Sequence, residues 1–503
     1  IPDFGVLREV ANRLKGLLLT HGHEDHIGAV SFLLKEFDVP VHGTPLTLGL
    51  LRHRLQEHDL DGAARLIAIG RSERFRLGSF DIESFPACHS IPDGVGYILR
   101  CGEGVFVHTG DFKIDPRPPD GVPTAIARLA RLAAEEKVTA LFSDSTNVER
   151  EGYSLPEAFV GEALSEIFGD AQGRVLVAMF SSNIHRIQEV LSAAARHGRR
   201  VALCGRSMVR NVATALDLGC MKLPRPDILL PLEDAETLPG RSVVVLTTGS
   251  QGEPRSALTL MALGEHKHIR VRDGDTAVLS SKFIPGNERA IASVINHLFL
   301  AGAEVLHEKI SEVHVSGHAS REELKLMIDR VRPKYFIPVH GDPRFLFRHR
   351  SLAREMGVPH PEVALNGEIL EFAGGEMVRA GKLAVGRFFV DGRGVGDVES
   401  LVLKDRFQLS QVGIVMVVLA LSSTTGEILY GPDIVTRGVL TENGSEASVE
   451  EARGIVLATW EESGVEARKD PAEIQADIRK ALRRYFNKRL ERKPVILPVV
   501  LEL

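Results

Sequence analysis

Six consecutive residues, His21-Gly22-His23-Glu24-Asp25-His26, follow directly on the short apolar run Leu17-Leu18-Leu19-Thr20. The apolar run suits a buried strand, so the segment reads as a strand-to-helix turn carrying three imidazoles and an aspartate. Metal chemistry needs fixed lone pairs aimed at one point, and His and Asp are ligands suited to Zn²⁺ or Mn²⁺. The alternate residues His21 and His23 would serve one ion, with Asp25 and His26 turned toward a neighbouring one. The bland alternative is a solvated polar loop, but three His and an Asp at this spacing are rare by chance.

Such a turn needs ligands from elsewhere, and three predicted strand ends offer them. They are His89 in Ala87-Cys88-His89-Ser90, Asp111 in His108-Thr109-Gly110-Asp111, and His340 in Pro338-Val339-His340-Gly341-Asp342. Loops at strand ends are where sites are built. Taken singly, each is more often structural than a ligand. Cys88 and His108 read better as packing in or beside strands.

The chain has 503 residues, too many for one compact core. No run of about 18 apolar residues suggests a membrane span; the longest, Val412 to Leu421, reads as a buried strand. Four cysteines without paired spacing argue against a disulfide framework or a four-Cys zinc site, and fit a reducing cytoplasm. The net charge is −6, so a polyanionic partner must be met by local basic clusters rather than by overall charge.

Short strands with glycine punctuation fill the first 150 residues or so. From Tyr153, strands and helices alternate regularly through Val175–Ala178, Val201–Leu203, Val243–Leu246 and Ala277–Leu279, which predicts a parallel sheet flanked by helices. Gly249-Ser250-Gln251-Gly252-Glu253 lacks the lysine of a phosphate-binding P-loop. The C-terminal basic helix, from Arg479-Lys480 to Arg492-Lys493, could be a solvated face, an oligomer contact or a contact with a polyanion.

The ordered set HGHEDH, CHS, GDF, SDST, HVSGH and PVHG resembles the β-CASP branch of the metallo-β-lactamase superfamily, and more closely its bacterial ribonuclease J group. Phe180-Ser181-Ser182-Asn183-Ile184-His185-Arg186 and Arg492-Lys493-Pro494-Val495-Ile496-Leu497-Pro498 are similar to that group too, so the resemblance covers essentially the whole chain. It implies an α/β fold: a metallo-β-lactamase αββα sandwich with an inserted α/β β-CASP domain and a small C-terminal α/β domain. The expected boundaries are 1–152 for the first part of the sandwich, 153–325 for the insert, 326–437 for the completion, 438–450 for a linker and 451–503 for the last domain. Relatives carry an N-terminal hairpin ahead of the HGHEDH strand, and this chain is expected to lack it.

By the same resemblance, His21, His23 and His89 hold one divalent metal ion (Zn or Mn), Asp25, His26 and His340 hold a second, and Asp111 bridges. Asp144 orients a ligand or water. Asp391 resembles one ligand of a structural calcium. RNA-cutting members carry His at the position of His340, whereas DNA-directed relatives tend to lack it. Asp25 is the candidate to orient the attacking water and His318 to protonate the leaving oxygen. The segment His314-Val315-Ser316-Gly317-His318 is the candidate phosphate clamp; alternatively it is a loop in which Ser316 or Ser320 caps the next helix. Ser181, Ser182 and Asn183 open a helix after a strand, which makes either an anion site, read in relatives as the pocket for an RNA 5′-monophosphate, or a plain cap.

The implied activity is a cytoplasmic 5′-to-3′ exoribonuclease and endoribonuclease on single-stranded RNA, in mRNA decay and rRNA maturation. A homodimer or higher homo-oligomer, RNA-degradation partners and no membrane go with it. A non-RNA hydrolase of the same fold and an inactive RNA-binding scaffold subunit are the alternatives. The inserted domain and HVSGH argue against the first, and the full ligand set argues against the second.

Overall fold

The computed structural model describes residues 1–386, 388–391, 394–395, 400–440, 445–491 and 493–503. Two compact units make up the chain: Pro2–Gly386, and Arg387–Leu503 together with Ile1.

Two sheets of the larger unit carry the HGHEDH turn and its surroundings. Leu17–Leu18, Val41–Gly43 and Leu66–Ala68 form a parallel three-stranded sheet. The other sheet has seven strands in the order His360–Pro361, Tyr335–Val339, Val138–Asp144, Gly104–His108, Val95–Cys101, Phe80–Pro86, Arg74–Leu77. Its last four are antiparallel neighbours, and Tyr335–Val339 and Gly104–His108 run parallel to Val138–Asp144 between them. Phe85, Ile98, Leu141 and Phe336 from four of these strands share one core with Leu129, Leu132 and Met327 of the covering helices.

The insert is a six-stranded, fully parallel sheet in the order Leu229–Leu230, Arg200–Leu203, Val243–Thr247, Val175–Ala178, Thr276–Leu279, Glu304–His307. Its central strands are buried on both faces. Parallel sheets are covered on both sides by their crossover helices, which is why these strands read as continuous apolar runs. All their carboxyl ends lie along one edge, where the Ser181, Gly205 and Gly249 loops emerge.

The C-terminal unit starts well before the expected residue 451. Ile414–Leu421 and Ile428–Arg437 pair with each other and, through Ile414–Leu421, with the terminal strand Val495–Glu502. The reason is burial. Val415, Val417, Leu419 and Leu421 point alternately into one core with Ile474, Ile478, Leu482 and Phe486 of the helix Pro471–Leu490. The expected linker also contains structure, since the helix Ser445–Glu462 begins inside it; residues 441–444 lie outside the described residues. No helix among the described residues is long and apolar enough to cross a membrane.

Candidate metal centre

The HGHEDH turn leaves Leu17–Leu18 and enters a one-turn helix, Glu24–Ile27. At Gly22 the turn packs closely, and a Cβ there would meet Leu50 Cδ1 at 2.7 Å, so that side chain would have to move. The other candidates arrive on separate strand ends, as expected: His89 after Phe80–Pro86, Asp111 after Gly104–His108, Asp144 ending Val138–Asp144, His340 after Tyr335–Val339. Gly110, at φ +61°, turns the chain into Asp111. His340 itself sits at φ +56°, a strained conformation for a side-chain-bearing residue.

Three overlapping groups of candidate ligands result, two of them matching the expected sets and a third joining Asp111 and His340 to Asp144 and His318. His21 Nε2 and His89 Nε2 lie 3.0 and 3.1 Å from His23 Nδ1. Asp25, His26, Asp111 and His340 form the second group. There His26 Nε2 is 3.6 Å from Asp25 Oδ2 and 3.3 Å from Asp111 Oδ2, and His340 Nε2 is 3.3 and 3.6 Å from the same two oxygens. Ligands about 2.1 Å from a tetrahedral ion lie about 3.4 Å from one another, so these spacings fit an ion at the centre. His26 Nε2 is buried without any hydrogen-bond partner, which a bound cation would satisfy. Asp111 Oδ2 is also 3.7 Å from His21 Nε2 and 3.9 Å from His89 Nε2, so this carboxylate oxygen lies between the two clusters.

Several ring nitrogens turned away from the clusters have partners that orient their rings. His89 Nδ1–H donates to Gly317 O at 2.7 Å. His21 Nδ1 lies 3.1 Å from Thr20 Oγ1, and His340 Nδ1 lies 2.9 Å from Thr146 Oγ1. His185 Nδ1–H donates to His89 O at 3.1 Å.

The charge states differ between clusters. Burial, then the neighbouring imidazoles, drive His21 and His89 far below the usual histidine value, and burial takes His23 to about 4. These three are neutral, the form a metal ion needs. At His340 burial opposes protonation, but hydrogen bonds to Asp144 and Asp25 and the charge of Asp111 push it up to about 11. Burial would raise Asp25 and Asp144, yet the imidazoles around them hold both well below the usual carboxylate range. A divalent ion held by Asp25, His26, Asp111 and His340 would replace the His340 proton as the counter-charge to these carboxylates.

His318 Nδ1 donates to Asp144 Oδ2 at 2.8 Å and lies 4.0 Å from Asp111 Oδ2. Burial works against its protonation, and the Asp144 carboxylate outweighs it. His314 is placed differently: its Nδ1 accepts from Arg186 Nη1 at 2.7 Å. Ser316 Oγ accepts from Asn147 Nδ2 at 2.7 Å and from the His318 N–H, and Val315 O accepts from Arg186 Nη2. Gly317 presses so near His89 that a Cβ would meet its ring at 2.8 Å. Helix capping falls to Ser320, which forms a capping box with Glu323. Asn183 caps the helix Ile184–Arg196 by accepting from the Arg186 N–H, and Ser181 accepts from Asn211 Nδ2.

His108 accepts the Gly110 N–H and stacks on Phe142, and buried Cys88 is pushed up to about 12. Both stay outside the ligand clusters, as expected. The side chain of Asp391 lies outside the described residues. Sequence reasoning missed Arg186, fully buried and paired with Glu157 at 2.7 Å. A signal was present: Arg186 falls on the same helical stripe as Val190, Ala193 and Ala194, where a charge must have a partner.

These features agree with what the chain resembles. It matches the beta-lactamase superfamily domain over residues 3–132 and the ribonuclease J beta-CASP domain over 172–298. It matches the Zn-dependent metallo-hydrolase RNA specificity domain over 302–361 and the ribonuclease J C-terminal domain over 401–503. Ribonuclease J2 of Bacillus subtilis is 39% identical over 509 residues, with 100% of this chain and 90% of that protein covered. Ribonuclease J of Thermus thermophilus is 41% identical, with 100% and 87% covered. Ribonuclease J 1 of Streptococcus pyogenes is 37% identical, with 100% and 89% covered. With its metallo-β-lactamase fold, inserted β-CASP sheet and divalent-cation ligand set, this chain belongs to the ribonuclease J family.

Proposed function

We infer that this protein hydrolyses RNA phosphodiester bonds at a two-cation centre, as a 5′-to-3′ exonuclease on 5′-monophosphate RNA and as an endonuclease. One observation carries the reading: a proton donor, His318 held by Asp144, stands at the seam of two ligand clusters that share Asp111. Cations bound there would bring the pKa of bound water to about 7 and neutralise phosphate oxygens. His21, His23 and His89 form an all-imidazole set suited to zinc; Asp25, His26, Asp111 and His340 suit zinc or manganese.

The chain's own groups do the rest. Asp25, with the most exposed carboxylate of the set, orients the attacking water. His318 keeps its proton through Asp144 and delivers it from Nε2 to the leaving oxygen. Ser181, Ser182 and Asn183, with the loop from His314 to His318, bind the 5′-phosphate; the Ser182 hydroxyl has no protein hydrogen bond among the described residues. On the C-terminal sheet, exposed Val435, Leu497 and Leu501 share one face, which favours a homodimer through that unit. The setting is cytoplasmic mRNA decay and rRNA maturation, with other RNA-degradation proteins.

The test uses end-labelled RNA bearing a 5′-monophosphate or a 5′-triphosphate, with Mn²⁺, comparing the protein with Asp25→Ala/His26→Ala. Cleavage by the protein alone, faster on the monophosphate, is expected and should vanish with a chelator. Equal cleavage by both proteins overturns the nuclease assignment; equal rates on both RNA ends overturn the 5′-phosphate pocket.

A further inference from the structure

We propose that an arginine-lined cavity at the carboxyl edge of the inserted sheet is a second phosphate subsite, which grips the RNA backbone away from the bond being cut. The proposal rests on the RNA-hydrolase reading above. The cavity holds about 430 Å³ beside the ends of Arg200–Leu203 and Val243–Thr247. Arg54, Arg206, Arg210 and Arg255 line it, against one acid, Glu57. That acid is already engaged, by Arg54 at 2.9 Å and Arg210 at 2.9 Å, and Arg54 also pairs with Glu24 at 2.7 Å. Arg206 and Arg255 have neither an ion pair nor a side-chain hydrogen bond among the described residues. His266, also in the wall, lies 3.4 Å from Cys204 Sγ, and burial lowers its proton affinity below the ordinary imidazole value.

Two exposed arginines without an ion pair among the described residues thus line a polar cavity in a chain of net charge −6. A guanidinium presents a planar fork that matches phosphate oxygens. The wall is shaped for close approach: Gly205, at φ +107°, makes the turn, and the first N–H groups of the helix Arg206–Asp217 have no side-chain cap. The lining contains no Phe, Tyr or Trp, and its one aromatic ring, His266, lies against Cys204, so guanidiniums rather than aromatic rings dominate the wall. The chemistry therefore favours a backbone phosphate over a free nucleotide.

The cavity is also wired to the cleft. Arg54 reaches Glu24, the neighbour of Asp25, and Asn211 of the Arg206–Asp217 helix holds Ser181. These contacts tie the cavity's lining to the HGHEDH turn and to the Ser181 loop.

The test is binding of a nuclease-resistant 2′-O-methyl RNA 12-mer, by fluorescence anisotropy between 50 and 300 mM salt, to the full chain and to Arg206→Ala/Arg255→Ala. Affinity should fall about tenfold, and the slope of log affinity on log salt should shrink by about 1, as for lost phosphate contacts. Arg206→Lys/Arg255→Lys should keep most of the slope. Hydrolysis of bis(p-nitrophenyl) phosphate, too small to span both places, should stay unchanged. Unaltered RNA affinity and slope overturn the subsite, including when the double variant loses binding of uridine monophosphate or inorganic phosphate, which would mark a nucleotide or phosphate site instead. If the unmodified protein binds RNA with this salt dependence but cleaves none, the hydrolase reading fails and the subsite stands.

Discussion

Gly317→Ala isolates the positioning of one candidate ligand. Gly317 has an ordinary negative φ, so alanine brings no backbone strain; its only new feature is a methyl group. That methyl would lie 2.8 Å from both Cε1 and Nδ1 of His89 and 3.0 Å from Ser90 Cβ. Ordinary contact begins near 3.4 Å, so the ring must retreat by about 0.6 Å, beyond the roughly 0.5 Å tolerance of a working site. The ring is hard to move, because Gly317 O holds Nδ1 at 2.7 Å while Nε2 points at His23. A misplacement of this size costs up to about 100-fold in rate, or about 2.7 kcal/mol of barrier. The assay is kcat/KM on 5′-monophosphate RNA, with the affinity of each metal measured by competition against a chromophoric chelator. Activity should fall 30- to 100-fold, by this same order-of-magnitude reasoning, with one of two metals bound more weakly and the melting temperature nearly unchanged. Gly102→Ala, where a Cβ meets nothing within 4 Å, is the control. Activity within twofold of the unmodified protein, with both metals intact, would refute the claim that this close approach fixes His89.

Asp144→Asn removes the charge that keeps His318 protonated; the alkaline limb of the kcat–pH profile should move toward lower pH, and an unmoved limb would assign the proton elsewhere. His349 is buried, and burial takes it down to about 3. The unfolded chain therefore binds the extra proton first, so stability is full above about pH 6.5 and falls on acidification toward pH 3, by up to about 1.4 kcal/mol per pH unit. His349→Asn should flatten that part of the urea-denaturation profile, and an unchanged slope would contradict it. Arg186→Met strands the buried Glu157 carboxylate and should cost about 3–5 kcal/mol in urea denaturation. Adding Glu157→Gln should recover part of the loss, and no recovery would mean that the cost lies in the HVSGH contacts instead.

What the sequence disclosed tracks local chemistry. Seven ligand candidates stood out because each is a metal-binding type at the end of an apolar run, and all seven meet in the fold. The parallel insert was legible because burial on both faces leaves uninterrupted apolar strands such as Val243–Thr247. The C-terminal boundary was not, because the pairing of Ile414–Leu421 with Val495–Glu502 joins residues far apart in sequence, and a polar stretch after Arg437 mimics a linker. Arg186 and Glu157 escaped for a similar reason: a buried ion pair shows itself only when both partners are seen on neighbouring elements.

The two histidine-containing clusters draw their members from residues 21 to 340, and His340 meets Asp25 across 315 positions of sequence. At 5–20 residues per second, the ribosome adds that much chain in roughly 15–60 s. Throughout that interval the emerging polypeptide lacks the residue that closes its second cluster. On the proposed two-cation reading, a nascent chain cannot cut RNA, its own messenger included, until His340 has emerged.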